Sequence, residues 1–249
     1  MRNDLVLTSL QAGVARLTLN DPDRANVLSE AMMEALAAAL VEAEANPDVR
    51  AIVIGAAGRI FCAGHDLGEL QAAADDALAL FERCSRLMLA IGACRAPVIA
   101  EVRGAAVAAG CQLVASCDLA YAAESVRFAV SGINLGLFCS TPGVALGRAV
   151  GRKAAAEMLL TGRFIDAARA VEIGLINAAV PADQLAAKVD EATQAIASKA
   201  PEAIALGKAA FRRQMEAPLE EAYAIASEAM AENLGLESAR AGIAGFLKP

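Results

Sequence analysis

The chain has 249 residues and a formal net charge of −7; 57% of its residues are hydrophobic but only 4% are aromatic. This length can bury the core of one large α/β domain, and the negative charge argues against nucleic acid as a partner. No apolar run approaches the roughly 18 to 20 residues of a membrane-spanning helix, so no membrane partner is expected.

The location of the protein is predicted from two absences in the sequence. The N-terminal stretch MRNDLVLTSLQ lacks the apolar segment of a signal peptide. The six cysteines form no CxxC pair, which favours free buried thiols in a reducing compartment. We therefore expect a cytoplasmic protein.

The first half of the chain alternates predicted strands and helices. A turn over residues 11–13 joins the first two strands, and a helix from Ser29 has Met33, Leu36, Leu40 and Val41 at helical spacing. A second helix is expected over 75–93. The predicted strands cover 5–10, 14–19, 51–55, 97–102, 118–122 and 126–130. Repeated strand, strand and helix with small-residue crossings predict a right-handed spiral of ββα turns.

The second half is predicted to be mostly helical from Lys153 onward. Asp166 is expected to cap one helix, and a last short strand covers 176–180. Three amphipathic helices follow over 183–198, 201–216 and 218–234. We predict a core over residues 1–190 that carries the functional site, and a helical assembly region over residues 191–249.

Two segments of similar design stand out. Residues 101–121, EVRGAAVAAGCQLVASCDLAY, predict a strand, a turn of small residues and a short helix that begins near Ala109. The first N–H groups of a helix have no intrahelical partner, and together with the helix dipole they suit a developing oxyanion. Residues 58–70, GRIFCAGHDLGEL, predict a similar turn with free N–H groups near Gly64 and His65.

Together and in this order, the two segments resemble the paired oxyanion-hole segments of the crotonase superfamily, the enoyl-CoA hydratase/isomerase family. The strings GINLGLFCSTP and ALGRAVGRKAAAEMLLTG extend the resemblance over nearly the whole chain. It implies an α/β crotonase-like spiral whose helical C-terminal region forms a homotrimer or a dimer of trimers. It also implies an acyl-CoA thioester as substrate, a lyase or isomerase reaction of fatty acid metabolism, and no metal or covalently bound cofactor.

The resemblance assigns the oxyanion hole to the backbone N–H groups of His65 and Ala109. Family members usually have glycine at the second position, but alanine keeps the N–H. His65 is the single histidine of the chain. The resemblance requires only its backbone, and a lone histidine side chain is more often structural than catalytic.

The acid/base positions of the family hold residues that cannot exchange protons. Gln112 and Gly132 stand where typical hydratases carry glutamates, and Ser140 stands at a third position that some isomerases and dehalogenases use. An amide can hold a water molecule but cannot accept a proton at neutral pH. Slow hydration of crotonyl-CoA is therefore expected, and glutamate at both Gln112 and Gly132 is expected to raise the rate.

The resemblance also implies a surface for coenzyme A. It begins at the loop before the first helix, although Arg24 taken alone is equally consistent with a solvated loop arginine. Near the C-terminus, Phe246 and Lys248 match residues that reach the coenzyme A of a neighbouring subunit in many relatives. The implied residues are Arg24, Ala25, Asn26, Cys62, Ala63, Gly64, Asp66, Leu67, Cys139, Ser140, Phe246 and Lys248.

Three functions remain open from the sequence. The chain is an enzyme on acyl-CoA thioesters that does not use two glutamates, or an inactive regulatory protein that binds these thioesters. A third alternative is a thioesterase or acyl transferase with Cys139 as its nucleophile. Such a cysteine needs a neighbouring cation or base to lower its pKa, and the sequence indicates no such partner.

Overall fold

The computed structural model describes residues 4–73 and 77–247. Its strands are short: β1 (Val6–Gln11), β2 (Val14–Leu19), β3 (Ala51–Ala56), β4 (Ile60–Cys62), β5 (Val98–Val102), β6 (Ala105–Val107), β7 (Leu119–Ala123), β8 (Arg127–Ala129), β9 (Ile165–Asp166) and β10 (Ala178–Val180). The helices are α1 (Glu30–Ala45), α2 (Leu67–Ala72), α3 (Ala77–Ala93), α4 (Ala109–Ser116), α5 (Ser140–Ala149), α6 (Arg152–Thr161), α7 (Ala167–Glu172), α8 (Leu185–Ala197), α9 (Pro201–Glu216), α10 (Leu219–Gly235) and α11 (Glu237–Phe246).

The strands form two sheets, and three successive turns of the chain each contribute one strand to each sheet. The six-stranded sheet has the order β1-β2-β3-β5-β7-β10, and the four-stranded sheet has the order β4-β6-β8-β9. Among the described strands, β1 in the first sheet and β9 in the second are the ones that pair antiparallel with a neighbour. The pairs β3 and β4, β5 and β6, and β7 and β8 are successive turns of one spiral. The predicted α/β spiral of ββα turns is confirmed.

Helix α1 shows how the apolar pattern fixes the core. The Ser29 hydroxyl accepts a hydrogen bond from the Met32 N–H at 3.2 Å and caps the helix. Met33, Leu36 and Leu40 are buried, as their spacing predicts. Val41 is 69% exposed, so its assignment to the apolar face is wrong. The buried stripe of α1 instead continues through Ala39, Leu40 and Ala43.

The division of the chain at residue 190 is corrected by α8. This helix buries Leu185, Val189 and Thr193. The Asp190 carboxylate accepts a hydrogen bond from the Arg16 guanidinium on β2 at 2.5 Å. A boundary at residue 190 would therefore divide a helix that packs against the core. Among the described residues, no helix is both long and apolar enough to cross a membrane.

Candidate functional site

The two segments with predicted free N–H groups are in direct contact. Their strands β4 and β6 pair in parallel, with Cys62 opposite Ala106. A Cβ atom on Gly110 would lie 2.2 Å from the Cys62 carbonyl oxygen, so only glycine lets α4 approach this closely. A Cβ on Gly64 would lie 3.4 Å from the Ala109 nitrogen. The turns that contain the two predicted donors therefore touch at one edge of the small sheet.

Both predicted donors are free for a ligand. Ala109 is the first residue of α4, so its N–H has no intrahelical acceptor. Within residues 4–73 and 77–247, neither this N–H nor that of His65 makes a hydrogen bond to a protein group. The two N–H groups can therefore serve as donors to an external oxygen.

The turn before α4 has a strained backbone that the sequence did not indicate. Ala108 has a φ of 49° and a ψ of −115°, in a region that residues with a Cβ rarely adopt. Its N–H donates to the Ala129 carbonyl at 2.8 Å, which anchors the turn to β8. Strain of this kind is concentrated at functional sites, where the surrounding structure maintains it. No sequence signal could have identified Ala108, because alanine is not typical of this conformation.

The Asn26 side chain joins the loop before α1 to the segment between β3 and β4 by hydrogen bonds. It is fully buried, accepts a hydrogen bond from the Asp21 N–H at 2.8 Å and donates to the carbonyls of Ala57 and Ile60 at 2.9 and 2.8 Å. Its amide group is therefore occupied within the protein. The backbone N–H of Asn26 is occupied as well, because it donates to the Asp21 carbonyl at 2.9 Å, so this buried residue has no free donor for coenzyme A.

The His65 ring is packed as a neutral side chain. It contacts Phe81 edge to face, with 5.6 Å between the ring centroids. Both ring nitrogens are buried and make no hydrogen bond to any described residue. Burial lowers the pKa of His65, and the backbone of Leu28 opposes this effect to a smaller extent. This packing agrees with a structural role for the ring beside a functional backbone N–H.

Gln112 lies on α4, one turn after Ala109, and is only 4% exposed. Its side-chain oxygen Oε1 accepts a weak hydrogen bond from the Cys84 thiol on α3, with 3.9 Å between sulfur and oxygen. The contact with Cys84 could not be predicted, because it depends on how α3 packs against α4. The position therefore offers a buried amide where a hydratase of the family would carry a carboxylate.

Gly132 lies in a turn that has no room for a side chain. A Cβ at this position would lie 2.5 Å from the Leu137 carbonyl oxygen and 2.8 Å from the Cys139 sulfur. The Gly132 N–H donates to that sulfur at 3.3 Å. The expectation that glutamate at Gln112 and Gly132 raises the hydration rate is therefore corrected, because the second glutamate cannot be accommodated without opening the turn.

Neither Cys139 nor Ser140 is arranged as a nucleophile. Cys139 is 8% exposed, and burial raises its pKa while the Gly132 N–H lowers it by a smaller amount. No basic side chain among the described residues bonds to its sulfur. Ser140 is exposed, and its hydroxyl lies 3.5 Å from the Phe138 carbonyl oxygen. The geometry therefore gives no support to a thioesterase or acyl transferase.

Five of the twelve predicted coenzyme A residues are exposed or half-buried in the two joined segments beside His65. The exposed Arg24 guanidinium pairs with the Asp66 carboxylate. Asp66 also caps α2 by accepting from the N–H groups that follow it, at 2.8 and 3.1 Å. The Ala63 N–H donates to the Ala25 carbonyl at 3.1 Å, which joins the two loops. Ala63 and Leu67 are exposed on the same surface.

Cys62 and Phe246 are two further predicted residues that the structure describes. Cys62 is fully buried in the core, where burial raises its pKa to about 12, so its predicted place in the coenzyme A channel is wrong. Phe246 is 90% exposed at the end of α11. Lys248 lies outside the described residues. Among the described residues, no group of three or more His, Cys, Asp or Glu side chains is suited to hold a metal ion.

Comparison with known proteins identifies the family. Residues 9–248 match the enoyl-CoA hydratase/isomerase family. A Xenopus laevis relative, named enoyl-CoA hydratase domain-containing protein 3, mitochondrial, is 44% identical over 97% of this chain and 84% of its own length. The crystal structure of a Mycobacterium smegmatis enoyl-CoA hydratase is 50% identical, with a TM-score of 0.96, over 98% of this chain and 96% of that one. The chain belongs to the enoyl-CoA hydratase/isomerase family of the crotonase superfamily.

Within this family, the strings GCQLVASCD and GINLGLFCSTP most resemble the branch named enoyl-CoA hydratase domain-containing protein 3. The crystal structure of the human protein of that name confirms this resemblance, with 42% identity and a TM-score of 0.94 over 98% of this chain and 99% of that one. The expectation of a cytoplasmic location is corrected, because the Xenopus laevis relative is named as mitochondrial.

Proposed function

We propose that this chain binds acyl-CoA thioesters and holds the thioester carbonyl oxygen between the backbone N–H groups of His65 and Ala109. The contact between their two turns carries this proposal, since it brings two free donors to one edge of the small sheet. Membership of the enoyl-CoA hydratase/isomerase family supports the substrate class. The exposed surface of Arg24, Ala63 and Leu67 beside the donors is where the coenzyme A portion would bind.

The reaction is proposed to be one that does not require two glutamates. Two backbone donors at the thioester carbonyl oxygen stabilise the negative charge that develops on this oxygen during the reaction. Each such donor is worth about 3 to 4 kcal/mol in measured oxyanion holes. The amide of Gln112 and the absent side chain of Gly132 cannot move the two protons of hydration. The alternative is a regulatory protein that binds the thioester without turnover. A panel of acyl-, enoyl- and dienoyl-CoA thioesters, followed by mass spectrometry, separates the two.

The binding proposal predicts that the protein distinguishes a thioester from a thioether. Butyryl-CoA and S-butyl-CoA share the coenzyme A portion and the four-carbon chain, and they differ only in the carbonyl oxygen. Two hydrogen bonds to that oxygen are expected to make butyryl-CoA bind at least about tenfold more tightly, or about 1.4 kcal/mol. Isothermal titration calorimetry with both ligands and with free coenzyme A measures this difference.

The matched control in the same assay is His65→Ala, which keeps the backbone N–H and removes the ring. It is expected to retain both the affinity and the preference for the thioester, because the ring nitrogens make no hydrogen bond to a described residue. Equal binding of the thioester and the thioether by the wild type would contradict the oxyanion hole. A loss of more than about tenfold in the variant would show that the imidazole itself takes part.

We also propose that the chain assembles with copies of itself, as the family resemblance implies. Large apolar side chains lie exposed along the last three helices: Phe211, Met215, Leu219, Tyr223, Met230, Leu234 and Phe246. So many large apolar side chains exposed on consecutive helices favour an association surface. Sedimentation equilibrium at micromolar concentration is expected to give the mass of a trimer or of a dimer of trimers. A strictly monomeric mass would contradict this assembly.

A further inference from the structure

A cavity of about 380 Å³ lies between the C-terminal end of α3 and helix α9. Sites for small molecules have volumes of roughly 300 to 1,000 Å³, so the cavity is large enough for one. Phe81, near the start of α3, contacts His65, whereas the cavity begins at Gly92, eleven residues further along the helix. At a rise of about 1.5 Å per residue this separation is about 16 Å. The cavity is therefore distinct from the candidate oxyanion hole.

Three of the charged side chains that line this cavity lie beside an opposite charge. The pairs are 3.9, 2.6 and 3.7 Å apart and consist of Arg95 with Glu44, Lys208 with Asp118, and Glu216 with Arg148. Arg95 also donates to three main-chain carbonyl groups, which occupies the rest of its guanidinium. These three side chains therefore add no unbalanced charge to the cavity.

Arg212 and Arg213 line the same cavity and form no ion pair with any residue that the structure describes. The Arg212 guanidinium lies directly over the backbone of Gly92, since a Cβ on this glycine would lie 2.7 Å from Cζ. The C-terminal end of α3 supplies the equivalent of only about half a negative charge. The cavity therefore has an excess of positive charge, although the chain as a whole has a net charge of −7.

We propose that this cavity binds a small phosphorylated molecule whose phosphate group is held by Arg212 and Arg213. Guanidinium groups bind phosphate oxygens through paired, charge-assisted hydrogen bonds. The two arginines are consecutive residues of one helix, so the negative charge that they bind has to be concentrated at one end of the ligand. A phosphate monoester carries close to two negative charges on one group, whereas a dicarboxylate separates its two charges. The small side chains of Ala205 and Ala209 leave room for the organic part of the ligand.

Isothermal titration calorimetry with butyl phosphate and butyl sulfate tests the charge of the ligand. The two molecules have the same chain and three terminal oxygens, but at about pH 8 the phosphate is a dianion and the sulfate is a monoanion. Butyl phosphate is expected to bind at least about tenfold more tightly than butyl sulfate. Succinate, a dicarboxylate, is expected to bind more weakly than butyl phosphate.

Variants and a competing ligand locate the bound phosphate. The Arg212→Gln, Arg213→Gln variant is expected to lose at least about tenfold in affinity for butyl phosphate. The control Arg86→Gln removes a positive charge from an exposed position on α3 that does not line the cavity, and it is expected to keep the wild-type affinity. Saturating butyryl-CoA is expected to leave the binding of butyl phosphate unchanged, because the cavity is separate from the surface proposed for coenzyme A.

Four results would overturn this site. They are equal binding of butyl phosphate and butyl sulfate by the wild type, tighter binding of succinate, full affinity in the double arginine variant, and loss of butyl phosphate binding in the presence of butyryl-CoA. The last result would assign the phosphate to the surface for coenzyme A. If butyl phosphate does not bind and the double arginine variant changes the mass in sedimentation equilibrium, the two arginines serve the contact between copies of the chain instead.

Discussion

Hydration of crotonyl-CoA by this protein is expected to be at least about 10²-fold slower than hydration by a family member that has both glutamates. Losing one general acid or base commonly costs about 10² to 10⁴ in rate. Here the first position holds the Gln112 amide, and the second holds Gly132, whose surroundings exclude any side chain. Loss of the absorbance of the conjugated double bond, measured for both proteins under the same conditions, gives the two rates.

Binding of crotonyl-CoA, measured on the same samples, is the control for this comparison. Slow turnover with normal binding locates the defect in proton transfer. Rapid turnover would contradict the prediction and require another acid/base pair. The nearby carboxylates are poorly placed for that role, because Asp66 caps α2 and pairs with Arg24. The Glu69 carboxylate is occupied as well, since it accepts the Glu30 N–H at 2.8 Å.

The larger elements of the fold could be predicted because their apolar pattern is long enough to show a period. The helix over Pro201–Glu216 and the hairpin of β1 and β2 agree with the structure to within a residue or so. The second sheet could not be predicted as such. Its strands β4, β6 and β8 have three residues each, and Ala105–Val107 contains only small apolar residues. So short a segment has no periodicity, and its pairing depends on how the whole spiral closes.

The candidate site also has one part that the sequence predicts and another part that it does not. The two segments that the resemblance matched to the oxyanion hole do meet, because β4 and β6 pair next to each other. Three other features depend on how the chain folds in three dimensions, and no sequence pattern indicates them. These are the positive φ of Ala108, the hydrogen bond from Cys84 to Gln112, and the position of Cys139 against Gly132. A motif can assign a position to a missing glutamate, but only the structure reveals whether a side chain would fit there.

The lack of space at Gly132 predicts that glutamate at both acid/base positions will not restore hydration. The Gly132→Glu change puts a Cβ 2.5 Å from the Leu137 carbonyl oxygen, so the turn from Gly132 to Cys139 must open. Overpacking of this kind typically lowers the free energy of unfolding by about 1 to 3 kcal/mol. We expect the Gln112→Glu, Gly132→Glu variant to lose stability in urea unfolding and to hydrate crotonyl-CoA no faster than Gln112→Glu alone.

Two smaller changes test the steric cause of this failure directly. Gly132→Ala adds only the Cβ and is expected to lower the free energy of unfolding. Gly147→Ala on α5 adds a Cβ where no atom lies within 4 Å, so it is expected to be neutral or stabilising by up to about 1 kcal/mol. Adding Cys139→Ala to Gly132→Ala removes the sulfur contact and leaves the Leu137 contact, so stability is expected to return only in part. If the double glutamate variant is as stable as the wild type and gains about 10² or more in hydration rate, the turn adapts without cost. Lack of space would then be wrong as the reason for glycine at this position, and the hydratase chemistry would be only two substitutions away.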